Sequence, residues 1–293
     1  MAVRGFDAVA RTALLTTALR AVESGRPDRL YHDPYAWELV GDTGFALFDE
    51  VAMRTRSGRE APEADGRRLP NTADYNAIRT RFLDDWLLAA VAAGRVDQVV
   101  ITAAGMDTRA YRLAWPHPVR VFEIDRPAVL AHKHAVLADH PSAANVTRLP
   151  VDADLVADDW RPRLAAAGFD PDRSSVWVLE GLLYYLAEPD VRRLLGEVAG
   201  FCAPGSALAC DLINEVALTA PSTARLLELF ADWGSPWISG CDEPEKLLSA
   251  AGFDALAVQP GEPGAHYGRW RDEVAPRDEP GVPRVFLAHG IRV

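Results

Sequence analysis

The sequence predicts an α/β fold built on a doubly wound, mostly parallel sheet, and three observations carry that expectation. Apolar runs of strand length recur near residues 97–103, 119–124, 145–151, 174–180 and 205–212. Segments with helical length and pattern lie between them, at about 108–113, 126–139, 159–166 and 187–200. The first run enters a turn containing Gly105, and the second ends on Asp125 twenty residues later. That is the spacing at which nucleotide-binding folds set an acid on a ribose. Regular alternation of this kind implies parallel neighbours joined by right-handed crossovers.

The elements follow in order. Ala8 to Val22 has the pattern of an amphipathic helix, and Asp33 caps a second helix with Pro34 in its first turn. The first ~70 residues show no strand period. Arg54 to Pro70 is polar, arginine-rich and broken by glycine, as a loop is. Asn71 and Thr72 cap a long helix with an apolar stripe of Ile78, Phe82, Trp86 and Ala90, closed by Gly94. After the fifth strand, residues 213–250 read as helical, with Leu226, Leu227 and Phe230 on the apolar side. Two late runs, 254–259 and 283–289, suit an antiparallel hairpin at the sheet edge. The chain thus divides into a helical cap and loop over 1–70 and a ligand-binding domain over 71–293, with 213–250 as a helical lid.

Composition removes several function classes. A chain of 293 residues, 49% apolar, supports a full core. No run reaches the ~18 apolar residues of a membrane span. The stretch from Thr12 to Val22 is interrupted by Thr16, Thr17 and Arg20, unlike a secretion signal. The expectation is a cytoplasmic protein, monomeric or homodimeric. A net charge of −11 argues against a nucleic-acid partner. Cys202, Cys210 and Cys241 lack paired spacing and read as buried reduced thiols. His132 and His134 are two apart on a helix and face different ways, so no metal is expected. There is no Gly-x-Ser-x-Gly elbow and no phosphate loop.

The chemistry gathers at the carboxyl ends of the strands, where open α/β sheets bind ligands. The first turn has one glycine rather than three, and Met106, Asp107 and Thr108 occupy the place of a pyrophosphate. A nicotinamide dinucleotide is therefore disfavoured, and a ligand with a ribose but no phosphates, such as S-adenosylmethionine, fits. Asp125, Asp154, Glu180 and Asp211 follow or end strands two to five in turn. A row of carboxylates suits hydroxyls, an amino group, an ammonium and a sulfonium. Arg81, on the preceding helix, is the cation assigned to the ligand's own carboxylate. Taken singly, each acid has the alternative reading of a helix cap, and Asp125 before Arg126-Pro127 is the clearest case.

Five segments occur in register: Arg79-Thr80-Arg81-Phe82-Leu83-Asp84-Asp85; Ala104-Gly105-Met106-Asp107-Thr108-Arg109 with Ala110-Tyr111-Arg112-Leu113; Phe122-Glu123-Ile124-Asp125; Asp152-Ala153-Asp154-Leu155; and Glu180-Gly181-Leu182-Leu183-Tyr184-Tyr185-Leu186. Together they resemble the leucine carboxyl methyltransferase-like family of S-adenosylmethionine-dependent enzymes, in its actinobacterial and polyketide-tailoring branch. The resemblance runs from about Thr12 to the Tyr267-Gly268-Arg269 stretch. It implies a Rossmann-like class I methyltransferase of secondary metabolism. By the same resemblance Arg81 holds the cofactor carboxylate and Gly105 admits the methionine moiety. Asp125 takes the ribose hydroxyls, Asp154 and the Leu155 backbone the adenine, and Glu180 the amino-acid part. The family's Gly-Ala-Gly turn is here Ala103-Ala104-Gly105.

The acceptor is less legible. An ionised carboxylate needs no base, whereas a phenol or an indole carbon requires proton removal. The resemblance implies O-methylation of a carboxylate or phenol on a small molecule. The alternatives are C- or N-methylation of an indole-like aromatic, and a non-catalytic module that only binds the cofactor. Should a base be needed, His32 is the first candidate and Tyr184 the second. The N-terminal helices, residues 213–250 and Gly264–Arg269 are expected to form the lid. Tyr31, Trp233, Trp237, His266 and Tyr267 are the expected acceptor-pocket residues, each with core packing as its bland reading.

Overall fold

Strand β1 (Gln98–Thr102) is buried at every position, the mark of a strand covered on both faces. In the computed structural model, which describes residues 8–59, 72–271 and 273–293, it is the middle of a seven-stranded sheet. The other strands are β2 (Val119–Asp125), β3 (Val146–Asp152), β4 (Val176–Leu179), β5 (Ala207–Ile213), β6 (Phe253–Val258) and β7 (Val285–Arg292), in the order β3-β2-β1-β4-β5-β7-β6. The first five pair in parallel, and the order reverses on either side of β1. That reversal opens a crevice at the carboxyl ends of β1, β2 and β4.

The two late strands do pair with each other in antiparallel fashion, but they do not form a simple edge hairpin. β7 inserts between β5 and β6. The burial patterns give the reason. Val285, Phe286, Leu287 and Ala288 are all buried, which only an interior strand satisfies. β6 alternates and carries the exposed Leu256, as an edge strand does.

Helices cover both faces. On one side α6 (Trp160–Ala166), α7 (Glu188–Gly200) and α9 (Pro244–Ala250) bury Trp160, Leu194, Leu195 and Leu248 against β residues such as Phe122 and Trp177. On the other side α3 (Thr72–Gly94) packs Leu83, Leu87 and Val91 onto Val99, Ile101 and Val178, with the short α4 (Arg109–Arg112) beside it. The row of α3 that is buried throughout is therefore Arg79, Leu83, Leu87 and Val91. Of the expected stripe, Ile78 is buried while Phe82, Trp86 and Ala90 flank the contact. Helix α5 (Pro127–Val136) is pinned by a buried ion cluster: Glu123 of β2 meets Lys133 at 2.8 Å and Arg148 of β3 at 2.7 Å.

A further layer lies over the carboxyl ends of the strands. Helices α1 (Ala8–Ser24), α2 (Ala36–Arg59) and α8 (Pro221–Asp232) bury Leu14, Leu15, Leu19, Leu39, Leu229 and Phe230 together with Met106 and Val129. Helix α2 is kinked at Gly41 and continues to Arg59, so the loop expected from Arg54 does not begin there. Asn71 and residues 60–70 lie outside the described residues. Asp33 does more than cap α2. Its Oδ1 accepts from Tyr35 N–H at 3.2 Å, while Oδ2 pairs with Arg20 and Thr108. Residues 213–250 are only partly helical, since 233–243 between α8 and α9 are irregular. No described helix is long and apolar enough to cross a membrane.

Candidate active site

The crevice holds a cavity of about 330 Å³. Its floor is the turn after β1 (101–107), the ends of β2 and β3 with the residues that follow, and the segment after β4 from Glu180 to Leu186. Thr12, Ala13, Thr16 and Arg20 of α1 close it from above, and Arg79 reaches it from α3.

The turn is tight because the chain reverses directly off a buried strand. Gly105 has φ of +48°, and a Cβ there would come within 3.3 Å of Ala13 Cβ. Ala103 also sits in the left-handed region, at φ +47°. For a residue with a Cβ that conformation costs about 1–2 kcal/mol. Glycine at this position loses more chain entropy on folding, which offsets part of that strain. Ala103→Gly is therefore expected to raise unfolding stability in urea by about 0.5–1 kcal/mol. Equal or lower stability would mean that the Ala103 methyl, which packs against the core, outweighs the backbone strain.

Asp125 ends β2 with both oxygens directed at backbone. Oδ2 accepts from Gly105 N–H at 2.6 Å and Oδ1 from Arg126 N–H at 2.7 Å. It does not cap α5, whose N-cap is Arg126 with no side-chain bond to the first turn; it braces the turn across the cavity floor. Each oxygen retains a second acceptor direction. Burial raises its carboxyl above the ordinary value, and the two N–H groups offset only part of that. Asp154 turns its Oδ1 onto Val156 and Ala157 N–H at 2.9 and 3.0 Å, and Leu155 is buried beside it in the same wall.

Glu180 is gripped from two sides, by Arg79 Nε at 3.0 Å and Arg109 Nη1 at 2.7 Å. Burial pushes its carboxyl up, but the two guanidiniums outweigh it and hold the group below the ordinary value. Both arginines are held in turn. Arg109 meets Asp84 at 2.8 Å and Asp107 at 2.5 Å. Arg79 meets Asp211 at 2.8 Å, Asn76 Oδ1 at 3.1 Å and the Tyr184 hydroxyl at 3.2 Å. Asp211 itself does not line the cavity. It is fully buried and collects Tyr75 OH at 2.8 Å, Gly181 N–H at 2.6 Å and Tyr184 OH at 3.3 Å in addition to Arg79.

Gly105, Asp125, Asp154, Leu155, Glu180 and Tyr184 therefore share one cavity, and the other expected site residues do not. Arg81 points away from it, pairing with Asp85 at 2.8 Å and donating to Leu30 O at 2.8 Å. The guanidinium that reaches the cavity from α3 is Arg79, two residues earlier and on the buried row. His32 is exposed and outside the wall. Tyr31 is buried with its ring 5.5 Å from Arg112 Cζ. Trp233 packs on Phe230, and Trp237 lies against Phe230 and Tyr184 at ring separations of 5.4 and 4.7 Å. His266 is exposed and accepts from Gly268 N–H, while Tyr267 stacks near Arg81 and reaches Asp85. Residues 213–250 and 264–269 thus contribute nothing to the wall, and among the described residues α1 closes the top. Tyr184 is committed to Arg79 and Asp211, and burial with the Asp211 charge pushes its hydroxyl far above the ordinary value. A tyrosine so held remains protonated near neutral pH and cannot serve as a base.

Sequence reasoning missed Thr12, Thr16, Arg20, Arg79 and Arg109. The i, i+4 spacing of the first three was available as a signal. The described residues contain no cluster of three His, Cys, Asp or Glu able to hold a metal ion. The three cysteines are free thiols, two buried and Cys241 half-buried. The cavity suits S-adenosylmethionine: a glycine turn on which a Cβ would crowd α1, a carboxylate where a ribose would lie, and an acid paired to guanidiniums beyond it.

Comparison with known proteins agrees with that fit. The family model described as leucine carboxyl methyltransferase matches residues 13–199. The chain is 41% identical over 243 residues to a Parafrankia protein named as a candidate S-adenosyl-L-methionine-dependent methyltransferase, covering 82% of this chain and 74% of that one. A Mycolicibacterium gilvum protein named in the same way is 37% identical over 271 residues, covering 90% and 88%. The fold is that of a DUF574 family protein from Streptomyces avermitilis (TM-score 0.61, 12% identity, 96% and 97% coverage). It is also that of a candidate methyltransferase from Thermobifida fusca (TM-score 0.57, 20% identity, 91% and 94% coverage).

Proposed function

Since the chain belongs to the leucine carboxyl methyltransferase family and is an S-adenosylmethionine-dependent methyltransferase, we propose that it methylates a carboxylate oxygen of a small-molecule acceptor. The observation that carries this reading is the chemistry of the cavity wall. Among the described residues it contains no histidine, lysine or cysteine, its carboxylates Asp107, Asp125, Asp154 and Glu180 are already engaged by backbone N–H groups or guanidiniums, and its tyrosines, Tyr184 and Tyr185, are both shifted upward by burial. A phenol or indole acceptor needs a proton acceptor in the transition state, and a carboxylate does not.

S-adenosylmethionine supplies, when bound, a methyl group on a positively charged sulfur that is already activated toward an in-line nucleophile. This chain's residues then have to bind, orient and exclude water. In this reading Asp125 receives the ribose hydroxyls on its remaining acceptor directions, and Asp154 with the Leu155 backbone receives the adenine. Glu180 faces the ammonium. Arg79, which keeps one Nη2 proton beyond the one given to Asn76 Oδ1, faces the cofactor carboxylate in place of Arg81. Helix α1 serves as the cap that dries the site.

The test is a pH profile. With a carboxylate acceptor, kcat/KM should be flat from about pH 6 to 9, because acids near pKa 4 are already ionised. With a phenol, whose ordinary pKa is about 10, it should climb through the same range. A tenfold rise per pH unit, or a base-stable methyl on carbon or nitrogen in the product, would overturn the carboxylate reading.

A further inference from the structure

Helix α1 presents one polar row to the cavity. Thr12, Thr16 and Arg20 are four residues apart, which stacks them on one helix face, and all three line the wall. Leu14, Leu15, Ala18 and Leu19 are buried on the other sides of the same helix. Arg20 is held in place. Its Nε donates to Asp33 Oδ2 at 2.9 Å and its Nη2 to the Met106 carbonyl at 2.6 Å, with Thr17 Oγ1 at 3.4 Å. Its Nη1 has no hydrogen-bond partner among the described residues.

Asp33 does not cancel the Arg20 charge by itself. It is fully buried, accepts from Thr108 at 2.7 Å, and also lies in the field of Arg112. Arg20 is therefore a pre-oriented guanidinium with an unused donor edge beside the cofactor turn. Arg79, the guanidinium on the opposite side, is already engaged by Glu180, Asp211, Asn76 and Tyr184. Two carboxylates must enter this half of the cavity if the acceptor is an acid: the cofactor's own and the acceptor's.

Resting on the carboxylate reading above, we propose that Arg20 Nη1 binds the acceptor carboxylate and so selects anionic acceptors. A planar donor edge fixes one carboxylate oxygen and leaves the other to face the methyl group. The neighbouring Thr16 hydroxyl, which donates to Ala13 O at 3.0 Å, remains an acceptor for a polar group of the same ligand.

The experiment uses the full chain loaded with S-adenosylhomocysteine and titrated by calorimetry with benzoate, hexanoate and acetate. Benzamide is the uncharged control. Benzoate should bind at least about tenfold more tightly than benzamide, as a charge-assisted hydrogen bond provides. Arg20→Gln should bring that ratio below about threefold while changing S-adenosylhomocysteine affinity by less than about threefold. Arg20→Lys keeps the charge beside Asp33 and protects the fold. It should retain part of the preference, because an ammonium lacks the planar edge.

An unchanged ratio in Arg20→Gln would overturn the proposal, as would no binding of any of the three acids to the unaltered protein. A loss of S-adenosylhomocysteine affinity equal to that of benzoate, with adenosine unaffected, would reassign Arg20 to the cofactor's carboxylate and overturn it too. Failure of the reaction reading looks different. Labelled methyl transfer to phenols or indoles without a carboxylate, with benzoate binding still dependent on Arg20, would overturn carboxylate methylation while the anion site stands.

Discussion

Asp211→Ala is expected to cost the fold about 3–5 kcal/mol, the price of breaking a buried ion pair from one side. Asp211 is the hub on which Arg79, Tyr75, Tyr184 and the Gly181 amide converge, with nothing of it reaching solvent. Its removal leaves the Arg79 guanidinium buried with Glu180 as its remaining anion, and frees the segment after β4. Urea denaturation followed by circular dichroism measures the loss. Asp211→Asn should cost less, because an amide oxygen still accepts one of the four donors. A loss below about 1 kcal/mol for the alanine variant would show that the cluster contributes no more than surface ion pairs do. Where the variant folds, cofactor affinity should fall with it, since Arg79 and Glu180 lose their common brace.

Asp125→Ala should weaken S-adenosylmethionine binding by about 1.5–3 kcal/mol, roughly ten- to 150-fold, the range for hydrogen bonds to a charged group. The structure adds a second route to the same loss, because Asp125 Oδ2 holds the Gly105 amide at 2.6 Å and thereby shapes the turn. Its pH dependence has a definite sign. Burial raises this carboxyl above the unfolded value, so ionising it costs stability as pH rises through the folded value. Ribose hydroxyls donate to the ionised form. Cofactor affinity should therefore fall on acidification, and the fall should begin at a higher pH than an ordinary aspartate would give. Asp125→Asn should remove that dependence. Calorimetry showing unchanged affinity for the alanine variant would leave Asp125 no part in holding the cofactor.

The contrast between Arg79 and Arg81 shows what local sequence leaves undecided. Both lie in one helix and one motif, two residues apart. Which of them enters the cavity depends on how α3 rolls against the sheet, and the buried row runs through Arg79, Leu83, Leu87 and Val91. The apolar stripe through Ile78 and Phe82 lies midway between the two arginines at about 100° per residue, so it does not choose between them. The same limit applies to Tyr31, His32, Trp233, Trp237, His266 and Tyr267. Being aromatic or titratable near the expected lid carried no information about which wall each side chain would join. Five of the six became packing groups or surface contacts of other elements, and His32 is simply exposed.

The sequence by itself determined the parallel α/β core, the glycine turn after β1, and the acids at the ends of β2, β3 and β4. These depend on local periodicity, turn chemistry and the rule that ligands sit at carboxyl ends of strands. Only the tertiary structure decided that β7 threads between β5 and β6, that α1 rather than residues 213–250 closes the cavity, and that Asp211 braces the site from outside it. Those outcomes follow from packing between segments distant in the chain. A buried run must find cover on both faces, and a buried charge must find its partner wherever the fold brings one.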